Sequence, residues 1–179
     1  GGSLGGILSF RSVTLDGVQN GLGRIALTLA QTFNEQHQLG MDLNGDIGEE
    51  FFAVSSPKVV STLTNDPAST VTAEIDDVKA LTTSNYRFSF DGTNYTLTRL
   101  SDNSSVSSAA APSNATPLTM DGVSITAATI NANERFLIQP TVNGARDIAV
   151  NIKDTTKIAA AGPNRTNAAV SNTGTGTIS

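Results

Sequence analysis

Apolar residues at Leu8, Leu15, Val18, Leu22, Ile25 and Leu29 follow one another at steps of seven, three, four, three and four, and Leu4 and Phe33 prolong the stripe at either end. Heptad spacing of this kind lays a single seam along one helical face. Arg11 and Ser12 interrupt it once. Asp16, beyond the break, has the chemistry of an N-cap, and Gln19 three residues on completes a capping-box-like pair. The pattern therefore predicts two helices, Ser3 to Ser12 and Gly17 to Gln38, with Gly40 as the C-terminal stop. Gly17, Gly21 and Gly23 each weaken the second helix by about 0.5 to 1 kcal/mol relative to alanine, which leaves a lone helix marginal. Its seam needs a cover, supplied either by the chain's own β-rich part or by helices of a coiled-coil-like bundle lying elsewhere. An aspartate at Ile25 would weaken the stem by several kcal/mol if the seam is buried within this chain, and would leave melting unchanged if the seam is exposed.

After a turn-rich acidic connector, Met41 to Glu50, the period changes to alternation. Phe51 to Val54, Val59 to Leu63 and Val71 to Ile75 read as strands, and Val78 to Leu81 after Asp76 and Asp77 as a single helical turn. In YRFSFDGTNYTLTRL, Tyr86 to Leu100, the residues Tyr86, Phe88 and Phe90 alternate with polar neighbours. Asp91 and Gly92 open a turn, and Tyr95 and Leu97 resume the alternation, which predicts a β-hairpin with one buried and one wet face. Ser101 to Thr116 is small and polar, an exposed connection with one short edge strand. Strands follow at Val123 to Ala127 after the Asp121-Gly122 turn, at Arg135 to Gln139, and at Asp147 to Ile152, where Ile148, Val150 and Ile152 share a face. Lys153 to Ala161 reads as a short closing helix. The resulting fold class is α+β, with a helical stem of two helices (1–50) belonging to a coiled-coil-like core domain. An all-β sandwich or small barrel-like domain (51–161) and a flexible tail (162–179) complete the division.

Composition sharpens this picture mainly by exclusion. Charged residues make up only 15% of the 179, and Ser, Thr and Asn fill the polar positions, as suits strands and turns. The formal net charge is -5 with no cluster of Lys or Arg, which argues against nucleic acid and against an anionic membrane surface as partners. No run reaches transmembrane length. The chain has no cysteine, which excludes disulfides, thiolate nucleophiles and Cys-based zinc sites.

Candidate chemistry is thin. His37 is the only histidine and lies in the last helical turn, where a cation complements the helix dipole. Asp42, Asn44 and Asp46 have the first spacings of an EF-hand loop, but Ile47 stands where glycine is required and Ala53 where a bidentate glutamate is required, so an Asn-Gly turn is the better reading. The pairs Glu49–Glu50 and Asp76–Asp77 read as solvated turn acids. Tyr86, Phe88, Phe90 and Tyr95 alternate into a core and do not form a glycan platform. Asn94, Asn103, Asn114 and Asn164 fit a glycosylation pattern that a chain rich in Asn, Ser and Thr meets easily. No catalytic, cofactor-binding or metal-binding residue is assigned, and the candidate site is the helix packing seam Leu8, Leu15, Val18, Leu22, Ile25, Leu29 and Phe33.

The opening stretch resembles the bacterial flagellar hook-associated protein 1 family. The resemblance rests on GGxLGGxLxFR at Gly1 to Arg11, Leu15-Asp16, LGRIAL at Leu22 to Leu27, and FNEQHQLGMDLNGDIGEEFF at Phe33 to Phe52. YRFSFDGTNYTLTRL, DGVSI and ERFLIQP follow in the order of that family's outer β domain, while Gly17 stands where the family has a proline. The resemblance implies a non-enzymatic structural protein of the bacterial flagellum, exported by the flagellar secretion system to the cell exterior and placed at the hook-filament junction. Its expected partners are other flagellar axial proteins, namely hook protein, a second junction protein and flagellin. Self-association would run through terminal segments absent from this chain, which alone would be monomeric. The alternative is a surface-exposed adhesin-type β module that binds a glycan or protein ligand.

Overall fold

The computed structural model describes residues 15–162. The expected first helix, with Leu4 and Leu8, falls outside these residues, as does the expected tail beyond Gly162. Helix α1 spans Asp16–His37. No capping box forms: Leu15 occupies the cap position with right-handed helical backbone, no side chain caps the helix, and Gln19 Nε2 instead donates to the Val142 carbonyl at 2.9 Å. A capping side chain needs an extended residue at the cap, and Leu15 is not extended. The stop also differs, since α1 ends at His37 and Gln38 keeps right-handed helical backbone. Gly40 serves close approach, because a Cβ there would lie 2.4 Å from the Ala159 carbonyl oxygen.

The strands are β1 (Phe52–Ala53), β2 (Lys58–Ser61), β3 (Thr70–Ile75), β4 (Tyr86–Phe90), β5 (Tyr95–Arg99), β6 (Ser105–Ser108), β7 (Leu118–Met120), β8 (Val123–Ala128), β9 (Arg135–Gln139) and β10 (Ala149–Val150). A five-stranded sheet runs β2-β9-β4-β5-β6 and a three-stranded sheet β3-β8-β7, all neighbours antiparallel. Register makes the core: Phe88 lies opposite Leu97 on one side and Phe136 on the other, and Tyr86 opposite Ile138. These side chains are buried against Ala73, Leu118, Val123 and Ile125 of the smaller sheet. Each large apolar side chain so buried contributes about 1.5 to 3 kcal/mol. The result is an open sandwich of two sheets, α+β with its helix; neither sheet closes into a barrel.

Turn chemistry fixes the hairpins. Asp91 Oδ1 accepts the amide N–H groups of Thr93 and Asn94, both at 2.7 Å, which holds its carboxyl below the ordinary range. Between β7 and β8, Asp121 and Gly122 both adopt positive φ, +52° and +75°, as a two-residue hairpin requires. The Asp121 carboxylate reaches inward, accepting from the Tyr86 hydroxyl at 2.8 Å and from Arg99 Nη1 at 2.9 and 3.0 Å. Arg99 also pairs with Asp102 at 2.7 Å, which holds that carboxyl far below its usual range. Asp121→Ala leaves the Tyr86 hydroxyl short of a partner and puts alanine at positive φ. The expected loss is about 2 to 3 kcal/mol, against about 1 for Asp121→Asn, read from urea unfolding midpoints.

Burial pushes the Tyr86 phenol up to about 12. The folded state thus favours the neutral phenol, and its contribution is complete below the unfolded value near ~10 and is lost as pH rises from there towards 12. The stability difference between the protein and its Tyr86→Phe variant should shrink across that window by about 2 kcal/mol, measured by urea unfolding at successive pH values.

Beyond β9 the chain returns to α1. Of the segment expected as a strand from Asp147 to Ile152 only the two residues of β10 are strand, paired with β1, and a helical turn, α2 (Gly144–Asp147), leads into them. The helix expected over Lys153 to Ala161 is a single 3-10 turn, Thr155–Lys157, capped by Asp154, whose carboxylate accepts from the Thr156 amide at 3.0 Å. Ile158 onward is extended and reaches Met41, where the Met41 and Ala161 backbones bond reciprocally. Tertiary pairing with α1 overrides the weak local pattern here.

A two-faced helix as the candidate functional site

Two residue sets on α1 share the same three- and four-residue spacing and lie on opposite faces. Asn20, Gly23, Leu27, Ala30, Asn34 and His37 are buried. Leu15, Val18, Leu22, Ile25, Leu29 and Phe33, two or so positions out of phase and so about 200° away around the helix, are 44% to 66% exposed. The polar and small face points inward, and the apolar face points out.

Five of these six buried residues make a specific contact. Asn20 Nδ2 donates to the Thr83 carbonyl and to Asn85 Oδ1, both at 3.0 Å. Gly23 lets the Thr141 backbone touch the helix, and Gly144 packs on Gly23 in turn. Leu27 joins the sandwich core and is the only large apolar side chain α1 buries. Asn34 imitates a strand partner: its Nδ2 donates to the Phe52 carbonyl and its Oδ1 accepts the Phe52 amide, each at 2.8 Å.

His37 does not cap the helix dipole as expected. It is 5% exposed, with Nδ1 2.6 Å from the Glu49 carbonyl and Nε2 accepting the Ala159 amide N–H at 2.9 Å. Both bonds are met by the neutral ring with its proton on Nδ1. The ring thus staples the connector and the return segment to the helix end. Sequence reasoning missed this role, because Asn, Gly, Ala and His at heptad spacing carry no apolar signal.

Of the seam, Leu8 falls outside the described residues, and the other six side chains form one continuous exposed stripe. Phe33 closes it at the C-terminal end, its ring 4.9 Å from Phe51 and 5.3 Å from Phe52. The acidic connector is a turn: Asp42 Oδ1 accepts the amides of Asn44 at 2.8 Å and Asp46 at 2.9 Å, and Gly45 takes φ +88°. Those bonds hold the Asp42 carboxyl below its ordinary range. Among the described residues no group of three or more His, Asp or Glu side chains could hold a metal ion, and no helix is long and apolar enough to cross a membrane. Tyr86 and Phe88 are fully buried, while Phe90 and Tyr95 are half-buried and stack on each other at 4.2 Å.

The described chain is thus a β sandwich joined to a helix that buries mainly polar and small residues and displays an apolar stripe. Comparison with known proteins gives that architecture a family. Residues 1–52 match the flagellar hook-associated protein FlgK helical domain, and residues 60–140 the D2-like domain of flagellar hook-associated protein 1. The chain is 38% identical over 161 residues to flagellar hook-associated protein 1 of Escherichia coli K12, covering 89% of the chain and 29% of that protein. It is 37% identical over 162 residues to that of Salmonella typhimurium, with the same coverage. The solved structure of the flagellar hook junction protein FlgK from Burkholderia pseudomallei superposes with a TM-score of 0.79 at 35% identity, again over 89% of this chain and 29% of that one. The chain belongs to the flagellar hook-associated protein 1 family, and spans under a third of the length of these relatives. None of these matches supports an adhesin.

Proposed function

We propose that the chain is a section of a structural component of the bacterial flagellum that joins hook to filament. The apolar seam of α1 packs into a coiled-coil-like core completed by helices from the remainder of the same protein. On this reading residues 1–50 belong to the core and residues 51–161 form an outer β-rich domain whose last segment crosses back to the stem. The protein works by being built in, with no catalysis and no cofactor. Its partners are the neighbouring axial proteins, hook protein, a second junction protein and flagellin, reached outside the cell by way of the flagellar secretion system. Nucleic acid and membrane play no part, and the chain alone is a monomer.

The observation that carries this reading is the continuous apolar stripe opposite a face already packed against the sandwich and the return segment. A helix whose inner face is already buried has no use for six exposed apolar side chains unless something else covers them. Complementation tests the proposal: the full-length protein should restore filament attachment and swimming to cells lacking their own hook-associated protein 1. Bare hooks in the presence of well-expressed protein would overturn it.

A further inference from the structure

A second surface lies where α1 meets the sandwich. A cleft of about 350 Å³ opens between the C-terminal half of α1 and the end of β3, within the size range of ligand sites. Its floor is apolar, made by Leu27, Ile75 and Val78, and no side chain among the described residues fills it. Its walls carry four carboxylates, Glu35, Glu74, Asp76 and Asp77, against a single ammonium, Lys79.

The carboxylates are only partly engaged. Lys79 lies 3.6 Å from Glu35, with both side chains about half exposed or more. Asp76 Oδ1 accepts from the Ser124 hydroxyl at 3.1 Å and Asp77 Oδ1 from the Lys79 amide at 2.8 Å. Glu74 has no side-chain partner among the described residues. In the same wall, Ser55 Oγ is buried without a hydrogen-bond partner. An apolar floor, acidic walls and an idle hydroxyl complement a side chain with an aliphatic stem and a positive, multiply donating head.

We propose that this cleft docks an arginine side chain of a different polypeptide. Arginine fits better than lysine because its planar fork can serve several oxygens at once and its guanidinium is more weakly hydrated over apolar surface. A second copy of this chain is disfavoured as the source, because the chain carries 11 basic against 16 acidic residues with no basic cluster. The surface is separate from the apolar seam and does not depend on what the seam does.

The test is an amide NMR titration of the protein with N-acetyl-argininamide, with N-acetyl-lysinamide and N-acetyl-leucinamide as controls. The arginine probe should give saturable shifts at Leu27, Ile75, Val78 and Lys79, weaker ones should come from lysine, and none from leucine. Glu35→Gln with Glu74→Gln, neither of which holds the fold, should weaken the arginine probe about fivefold. Lys79→Met removes the competing ammonium and should tighten it about twofold or more. Equal shifts from the leucine probe, no saturation with arginine, or weakening by Lys79→Met would overturn the proposal. So would self-association in sedimentation that the double glutamine variant abolishes, since the occupant would then be a second copy.

Discussion

Alanine at Gly23 is expected to destabilise the joint between stem and sandwich by about 3 kcal/mol, although alanine is the better helix former. A Cβ at Gly23 would sit 1.7 Å from the Thr141 carbonyl oxygen and 2.9 Å from its carbon. Those are backbone atoms of a segment that cannot swing aside, since Gly144 rests on Gly23 and on Leu27 from the same direction. Either the return segment lifts off and α1 loses the contacts at Asn20 and Leu27, or the helix shifts and the Asn34 and His37 staples strain. Gly17 and Gly21 provide the control, because a Cβ at either meets nothing within 4 Å among the described residues. Alanine there should raise stability by about 0.5 to 1 kcal/mol each. Unfolding in urea followed by far-ultraviolet circular dichroism therefore sorts three chemically identical substitutions by sign. If Gly23→Ala stabilised as its neighbours do, the close crossing of α1 and α2 would be wrong.

These three glycines also mark what the sequence can and cannot disclose. Read as helix-weakening positions they are equivalent, and only the crossing with Thr141 and Gly144 singles out Gly23. The hairpin from Tyr86 to Arg99 was legible because alternation, Asp91 and Gly92 all point to one structure. The β7 strand was not legible: Leu118 to Met120 is too short to show a period, and its place is set by pairing with β8. The return segment 141–161 misled for a related reason, since its hydrogen bonds go to residues a hundred or more positions earlier, such as Met41, Phe51 and His37. The exposed seam could be written down from its spacing alone. Which way it faced could not, because an apolar stripe serves a core and a partner equally well, and the polar stripe that fills the inner face has no hydrophobic signature.

Ile25 turns that ambiguity into the most consequential substitution on the helix. It is 65% exposed at the middle of the seam, with Leu22 and Leu29 one turn to either side. In this chain Ile25→Asp should change the unfolding free energy by no more than about 0.5 to 1 kcal/mol, because a charge at an exposed position stays hydrated and only helix propensity is lost. In the full-length protein the same residue would lie inside the proposed core, where an unpaired carboxylate costs about 3 kcal/mol or more and would be met by repacking or dissociation. Full-length Ile25→Asp should therefore fail to restore filament attachment in cells lacking hook-associated protein 1, while Ile25→Leu restores it. The pair of measurements separates the possibilities cleanly. A large loss of stability in this chain alone would mean the seam is covered by its own residues, and full motility with aspartate would mean nothing covers it at all.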